Sequence, residues 1–339
     1  MTSAVIRDAV VNLLLFYTML GMITSSPALA LFGALVLAYH ALTLLNVLFK
    51  TWIATGPNPK KYGDWAVVTG STDGVGKAIA FELARKGCSV LLVSRSEQKL
   101  KVVKGEISSK YPSVSVDYAI VDFSKLTPSA LDGLKAKLQT IDVGLLVNNV
   151  GVSYEFCQWF HELSDTEVAN MLSLNVESAT WMTRLVLPSM LAKKKGAIVN
   201  MSSASARAPL PLLAQYSATK GYLENFTRSL AVEYAGKGIH FQCQSPYFVA
   251  TAMTFPNSKV APEKRATMMT PTPQKYAKAA VARIGLDTMT SPYWAHELLL
   301  WVQARIPDAV AGPVLLSSHK AVRFHKKNVA KMEEKLKKI

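Results

Sequence analysis

Residues 65–76 are Trp65-Ala66-Val67-Val68-Thr69-Gly70-Ser71-Thr72-Asp73-Gly74-Val75-Gly76, a short apolar run followed by a glycine-rich turn. The run predicts a buried strand, and residues 77–86 beyond the turn have a helical pattern that Gly87 ends. Glycines permit a tight turn and let backbone amides approach a pyrophosphate, whose charge is stabilised at a helix N-terminus. The stretch therefore predicts a dinucleotide site in which residues 70–76 hold the phosphates.

Further apolar runs alternate with amphipathic segments along the chain. The predicted strands are residues 89–93, 116–121, 143–147, 197–201 and 238–244, and the predicted helices between them include residues 97–110, 129–139 and 165–191. This alternation is typical of a parallel sheet covered by helices on both faces. We therefore predict an α/β fold with a Rossmann-like doubly wound parallel sheet.

Arg95 bears on which dinucleotide is bound. The second predicted strand ends at Ser94-Arg95, about 20 residues beyond the glycines, where an acidic residue would bind the ribose hydroxyls of NAD. A planar guanidinium suits a 2′-phosphate instead. Arg95 therefore favours NADP(H), the alternative being a surface charge.

The first fifty residues predict a membrane segment. Residues 9–49 contain no Asp, Glu, Lys or Arg, a run far longer than the apolar part of a signal peptide. Ser25-Ser26 and Pro27 interrupt it, so either one span at about residues 28–49 or a hairpin of two spans fits. Lys50, Lys60 and Lys61 follow directly, and positive flanks predict that the rest of the chain faces the cytosol. The alternative is a buried hairpin of core helices.

Charge and cysteine content exclude several classes of protein. The formal charge of +15 is spread along the chain, apart from a C-terminal run and Lys193-Lys194-Lys195, and we find no nucleic-acid-binding motif. Cys88, Cys157 and Cys243 are odd in number and widely spaced, without a CxxC or metal-ligand grouping. We expect no nucleic-acid partner and no metal, and we expect the cysteines to be small core residues.

A second apolar stretch covers residues 292–316. Glu297, Arg305 and Asp308 interrupt it, which favours a helix packed on the domain or on a partner over an interfacial helix lying on the bilayer. We expect three parts in the chain: a membrane anchor and linker at 1–55, an NADP(H)-binding catalytic domain at 60–290, and this apolar helical segment with a basic tail at 291–339.

Tyr216-Ser217-Ala218-Thr219-Lys220 places a phenol and an ammonium four residues apart, on one face of a helix. A cation close to a tyrosine favours the phenolate, so the pair could exchange a proton nearer neutral pH. Such a pair is also common on solvated helices. Its surroundings must therefore decide its role.

Four motifs in order resemble the short-chain dehydrogenase/reductase family over residues 64–254. They are TGxxxGxG at residues 69–76, Asn148-Asn149-Val150-Gly151 in place of NNAG, Ser203 thirteen residues before Tyr216, and YxxxK at residues 216–220. The resemblance separates Ser203 from its neighbours Ser202 and Ser205. It also implies that the tyrosine–lysine pair is catalytic.

The resemblance assigns roles to the matching residues. Tyr216 would donate the proton in a carbonyl reduction, Ser203 would hold the carbonyl oxygen, Lys220 would bind the nicotinamide ribose and lower the pKa of Tyr216, and Asn175 would order a water near that lysine. The remaining cofactor contacts implied by the family are Asp122 beside the adenine, Asn149 and Gly151 flanking the cofactor, and Val249 and Thr251 at the nicotinamide end.

The sequence Pro246-Tyr247-Phe248-Val249-Ala250-Thr251, with the hydrophobic N-terminus, resembles the branch of microsomal 3-oxoacyl-CoA reductases and type 12 17β-hydroxysteroid dehydrogenases. The branch implies NADPH-dependent reduction of 3-oxoacyl-CoA in long-chain fatty acid elongation. The expected partners are then a long-chain acyl-CoA, membrane lipid, other elongation enzymes and a second copy of the chain. A steroid or other lipid carbonyl is the alternative substrate, and an NADP(H)-binding membrane scaffold without turnover is the alternative from another class.

Two loops and the C-terminus complete these expectations. Residues 152–163 and 255–272 either wall a substrate channel or contribute ordinary core side chains. The terminus Lys335-Leu336-Lys337-Lys338-Ile339 resembles the dilysine signal that retrieves membrane proteins to the endoplasmic reticulum. On a cytosol-facing membrane protein, this signal predicts that organelle.

Overall fold

The computed structural model describes residues 26–255 and 260–324, together with Thr18 and Gly21. The chain forms two compact units, Met1–Ile53 and Ala54–Ile339. Ser25, the first half of the alternative hairpin, and the dilysine-like terminus all lie outside the described residues. Those predictions are therefore not addressed by the structure.

The N-terminal unit contains one long helix, α1, Pro27–Trp52. Proline stands at its first position, where no backbone donor is needed. Within it, Leu29–Trp52 spans 24 residues with a mean hydropathy of 1.9 and is almost entirely exposed within the protein. About 20 apolar residues suffice to cross the hydrocarbon of a bilayer, so α1 fits a membrane anchor.

A seven-stranded parallel sheet forms the centre of the second unit, in the order β3-β2-β1-β4-β5-β6-β7. Its strands are β1 Trp65–Thr69, β2 Ser89–Ser94, β3 Val116–Ile120, β4 Val143–Asn148, β5 Gly196–Met201, β6 Ile239–Gln244 and β7 Met289–Thr290. The predicted Rossmann-like doubly wound fold is confirmed. The strand order reverses between β1 and β4, and ligands bind such sheets at the carboxyl ends of the strands near this switch point.

Helices cover both faces of the sheet. They are α2 Gly74–Arg85, α3 Glu97–Lys110, α4 Pro128–Gln139, α5 Asp165–Leu172, α6 Ser178–Ala192, α7 Ala214–Glu233, α8 Pro273–Ala282, α9 Trp294–Gln303 and α10 Asp308–Arg323. One core cluster joins α2, α3 and α8 to the sheet, and the other joins α4, α6 and α7 to the opposite face. Strands buried on both faces explain the nearly continuous apolar runs in the sequence.

The structure differs from the sequence prediction in three elements. The helix predicted at 165–191 is interrupted by a π-helical turn, Ser173–Glu177. The apolar stretch at 292–316 is divided between α9, which ends at Gln303, and α10, whose N-cap residue is Pro307. The short strand β7 was not predicted, since two residues leave no periodic pattern.

Candidate active site

The glycine turn lies between β1 and α2. Gly70 and Gly74 have positive φ values of 64° and 53°, which glycine adopts without a steric cost. A Cβ on Gly76 would lie 2.3 Å from the carbonyl oxygen of Gly70, so the turn closes only with glycine there. Asp73 accepts a hydrogen bond from the Gly74 N–H at 2.7 Å and caps α2.

The first residues of the turn are held by the segment after β4. The Thr69 hydroxyl accepts hydrogen bonds from the N–H groups of Asn149 (2.9 Å) and Val150 (3.2 Å). The Asn149 side-chain amide donates to the carbonyl oxygens of Thr69 (3.1 Å) and Gly70 (3.3 Å). Asn149 therefore shapes the turn itself. Thr69 is a site residue that the sequence motif did not single out.

The turn has the features of a phosphate cradle. The Ser71 hydroxyl oxygen is buried and has no hydrogen-bond partner within the described part of the chain. The glycines leave open backbone at the N-terminus of α2, where the helix dipole stabilises an anion. These residues fit the pyrophosphate of a dinucleotide.

Arg95 and Asp122 follow the neighbouring strands β2 and β3. Arg95 is exposed, and its charge contributes to lowering the pKa of Asp122, after the larger effect of the Ser124 hydroxyl that donates to this carboxylate at 2.7 Å. A cavity of about 400 Å³ opens beside the turn. Its lining residues are Thr72, Asp73, Lys77, Gln98, Lys99, Val102 and Val103.

Asn175 lies in the π-helical turn and is fully buried. Its side chain accepts from the Val152 N–H at 2.7 Å, donates to the Val152 carbonyl oxygen at 2.9 Å and donates to the Thr219 hydroxyl at 2.9 Å. The π turn thus joins the loop after β4 to α7. The sequence did not identify Thr219, although it lies inside the Tyr216–Lys220 motif.

Ser203 follows β5, and Tyr216 is in the first turn of α7. Burial of the Tyr216 phenol raises its pKa, while the hydroxyls of Ser203 and Ser205 lower it by a smaller amount. The net direction is upward, opposite to the lowering expected from Lys220. Ser205 is thus a second hydroxyl beside the phenol. Ser202 has a different role, because its hydroxyl donates to the Lys220 carbonyl oxygen at 2.8 Å.

Lys220 is buried with its amine beside the tyrosine. Its Nζ lies 5.8 Å from the centroid of the Tyr216 ring and donates to the Met201 carbonyl oxygen at 2.9 Å. Burial lowers the pKa of Lys220 from 10.5 to about 8. Because this value lies below the ordinary 10.0 of a phenol, Lys220 has lost its charge by the pH at which the Tyr216 phenol would ionise, and it does not favour the phenolate there.

The loop after β6 lies against the glycine turn. A Cβ on Gly74 would lie 3.3 Å from the Thr251 methyl group, so Thr251 contacts the turn. Val249 is buried, and its carbonyl oxygen accepts from the Thr254 hydroxyl at 2.5 Å. The structure thus brings the candidate catalytic residues and most predicted cofactor residues to the carboxyl edge of the sheet. Arg95 and Asp122 lie further along that edge.

The two predicted substrate loops show a mixed character. In the first, Tyr154 and Phe156 are buried whereas Trp159 and Phe160 are exposed. Tyr154 belongs to a small apolar cluster against which the Tyr216 ring packs. Residues 256–259 of the second loop lie outside the described residues.

The arrangement suits proton transfer to a carbonyl oxygen. A bound nicotinamide would supply the hydride. Tyr216 would donate its phenolic proton to the developing alkoxide, Ser203 would donate a hydrogen bond to the same oxygen, and Lys220 would bind the nicotinamide ribose. A phenol is protonated at neutral pH, and because the pKa of Tyr216 is not lowered, Tyr216 has the form that a proton donor requires.

This fold and donor set define a nucleotide-dependent oxidoreductase of the Rossmann type. The model of the short chain dehydrogenase family matches residues 64–261, and the chain belongs to that family. It is therefore a short-chain oxidoreductase that uses a nicotinamide cofactor. The individual residue roles stay predictions.

Three similar proteins give this family a context. The very-long-chain 3-oxoacyl-CoA reductase of Anas platyrhynchos is 40% identical over 314 residues, 89% of this chain and 96% of the relative. The inactive hydroxysteroid dehydrogenase-like protein 1 of Homo sapiens is 43% identical over 249 residues, 74% of each chain. A solved alcohol dehydrogenase of the archaeon Thermococcus sibiricus, complexed with 5-hydroxy-NADP, is 25% identical with a TM-score of 0.57, covering 64% of this chain and 88% of that one.

Proposed function

We propose that the chain uses NADPH to reduce 3-oxoacyl-CoA to 3-hydroxyacyl-CoA in the elongation of long and very long fatty acids. The observation behind this proposal is the convergence of Ser203, Tyr216 and Lys220 beside a nucleotide turn, in a chain that aligns along 96% of a 3-oxoacyl-CoA reductase. The 3-oxo group is a ketone. Its reduction needs the proton donor and oxyanion contact that Tyr216 and Ser203 provide.

Arg95 supports NADPH as the preferred cofactor. Arg95 is exposed directly after β2, and its charge acts on the Asp122 carboxylate after β3. A 2′-phosphate could pair with this planar cation, which the hydroxyl of NADH could not do as strongly. The Thermococcus sibiricus neighbour holds a derivative of the same phosphorylated dinucleotide.

We place the reaction at the endoplasmic reticulum membrane, on its cytosolic side. The anchor at 1–55 would hold the catalytic domain at 60–290 beside lipid, where long acyl chains concentrate. Lys50, Lys60 and Lys61 support the orientation, and the basic surplus of the chain suits an anionic coenzyme A. We also propose other elongation enzymes and a second copy of this chain as partners. Residues 291–339 would form an apolar helical segment and a basic tail after the catalytic domain.

The similarity to hydroxysteroid dehydrogenase-like proteins favours two other functions. A steroid or other lipid ketone could be reduced by the same donors, because Tyr216 and Ser203 contact only the carbonyl oxygen. The human relative is named inactive, which favours a membrane-bound NADP(H) scaffold. Against the scaffold, this chain retains both Tyr216 and Lys220 in contact with the rest of the site.

A substrate panel tests the proposal. Purified full-length protein in detergent is assayed for NADPH oxidation with 3-oxoacyl-CoAs of several chain lengths and with estrone. We expect turnover of the long-chain thioesters and little turnover of estrone. A preference for estrone would show that a steroid ketone, and not a 3-oxoacyl-CoA, is the substrate. Binding of NADPH without its oxidation by any ketone would favour the non-catalytic scaffold.

A further inference from the structure

The last turns of α10 contact two loops beside the candidate active site. Arg323 is 5% exposed and donates two parallel hydrogen bonds to the Glu162 carboxylate, at 2.7 and 2.6 Å. It also donates to the Cys157 carbonyl oxygen at 3.3 Å. One turn earlier, His319 Nδ1 lies 2.7 Å from the Pro211 carbonyl oxygen. A helix near the C-terminus thus binds a loop 161 residues earlier in the chain.

Glu162 lies near the end of the first of these loops, residues 152–163. Besides pairing with Arg323, its carboxylate accepts from the Trp159 N–H at 2.9 Å and so fixes the turn Phe160–Glu162. An ion pair removed from water keeps one geometry only while both partners are present, since an unpaired buried charge is costly. The planar guanidinium fork adds directional specificity. The pair therefore determines the conformation of this turn.

The second loop lies immediately before Tyr216. Its Leu212 has a positive φ of 64° although it is not glycine, a conformation that persists only where neighbouring contacts impose it. The Gln158 N–H donates to the Leu212 carbonyl oxygen at 3.0 Å and joins the two loops. Pro211, which His319 contacts, precedes Leu212.

Both loops continue into the candidate active site. The Tyr154 hydroxyl accepts from the Gln215 N–H at 3.1 Å, one residue before Tyr216. Tyr154 and Leu163 form the apolar cluster on which the Tyr216 ring packs. The wall of the site next to the tyrosine is therefore built from chain segments that α10 holds.

We propose that Arg323 and His319 are positioning residues: Arg323 holds the loop 152–163 and His319 holds the loop 208–213, so that the two loops line the substrate's acyl chain and set the preference for chain length. This inference rests on the proposed function. Tyr216 and Lys220 are on α7, which packs on the sheet through Leu230 and through the hydrogen bond from Lys220 to the Met201 carbonyl oxygen. The backbone that carries the proton donor therefore stays in place when α10 is released, although the Tyr216 ring loses part of the apolar surface on which it packs. The loop 152–163 is held by α10, so it loses its position when the contacts of Arg323 are removed.

The test uses full-length protein in detergent with Arg323→Met, the conservative Arg323→Lys and the exchanged pair Glu162→Arg/Arg323→Glu. Arg305→Met, an exposed arginine on the link after α9, is the matched control. Kinetic constants are measured with a short and a long 3-oxoacyl-CoA. Arg323→Met should raise KM for the long substrate by roughly tenfold while kcat for the short one changes by less than about threefold. The lysine variant and the exchanged pair should recover part of this loss.

Hydrogen–deuterium exchange gives a readout that does not need turnover. Arg323→Met should increase exchange in peptides from 152–163 and 208–213, whereas the control should not. Unchanged exchange, or an equal loss of kcat/KM for both substrates, overturns the positioning role. If the wild-type protein reduces no 3-oxoacyl-CoA, the proposed function fails and the exchange result alone decides the role of Arg323.

Discussion

Gly151 lies directly against Lys220: a Cβ added to the glycine would be 3.1 Å from the lysine Nζ and 3.2 Å from Asn175 Oδ1. Hydrogen bonds restrict the movement of both the Lys220 amine and the Asn175 side chain. Lys220 donates to the Met201 carbonyl oxygen, and Asn175 Oδ1 accepts from the Val152 N–H. The absence of a side chain at Gly151 therefore leaves the space that the buried Lys220 amine occupies.

Gly151→Ala should lower kcat/KM by roughly tenfold or more, because a displacement of a few tenths of an ångström moves the donors relative to the carbonyl. Steady-state NADPH oxidation measures the effect. Gly105→Ala is the control, since nothing lies within 4 Å of its Cβ position in α3, and it should leave activity unchanged while slightly stabilising the helix. Full activity in Gly151→Ala would mean that the lysine amine can move aside.

Tyr216→Phe should lower kcat by about 10²- to 10⁴-fold, because it removes the proton donor and little volume. NADPH affinity should change little, which equilibrium binding followed by fluorescence can measure. The matched control is Tyr222→Phe on the same helix, whose hydroxyl pairs with Thr180 at 2.9 Å away from the site. Wild-type turnover in the Tyr216 variant would show that the phenol is not the acid and would strengthen the scaffold alternative.

Lys220 should make stability depend on pH in the alkaline range. Its pKa is about 8 in the folded chain because of burial, against 10.5 for an exposed lysine. Between these values the unfolded chain binds more protons, so stability rises with pH, and the cost of burying the charge, roughly 3 kcal/mol, is fully present below pH 8.

Thermal unfolding of the wild type and of Lys220→Met from about pH 7 to about pH 10.5 tests this sign. The melting temperature of the wild type should rise relative to the variant as pH increases through this window. Other groups titrate equally in both proteins and cancel in the difference. Parallel curves would show that the buried amine is neutral throughout or remains solvated.

The sequence predicted the parts of the fold that depend on local pattern. Strands β1 to β6 came within one residue of their predicted bounds, because each is a buried apolar run between turn residues. The helix after the glycine turn begins at Gly74 and not at residue 77, since Asp73 is its N-cap and the last residues of the glycine turn form its first turn. Helical periodicity alone does not reveal such a start.

The contacts that shape the candidate site depend on long-range packing and could not be predicted. The π turn around Asn175 has no sequence signal, because it arises where that amide must reach both Val152 and Thr219. The raised pKa of Tyr216 depends on burial, which a motif does not encode. The pairing of Arg323 with Glu162 joins segments 161 residues apart.

Lys194 provides a test of backbone strain away from the site. It follows α6 with a positive φ of 49°, a conformation that costs a side-chain-bearing residue about 1–2 kcal/mol. Lys194→Gly should therefore stabilise the protein by about 1 kcal/mol, with activity unchanged, as measured by denaturant unfolding. Lys195→Gly, where φ is not positive, should be neutral or destabilising; an equal effect of both would exclude relief of strain as the cause.

Arg95 should determine the choice between the two nicotinamide dinucleotides. Arg95→Ala removes the cation expected to pair with the 2′-phosphate, and charge-assisted hydrogen bonds of this kind contribute about 1.5–3 kcal/mol. We expect kcat/KM for NADPH to fall by about tenfold to a hundredfold while the value for NADH stays the same, because NADH has no phosphate at that position. Arg85→Ala is the matched control, since Arg85 is an exposed arginine on α2 that pairs with Glu82. An equal loss for both cofactors would show that Arg95 supports the fold of the site, and no loss for either would exclude Arg95 as the partner of the 2′-phosphate and make Lys77 and Lys99, which line the cavity beside the glycine turn, the next residues to vary.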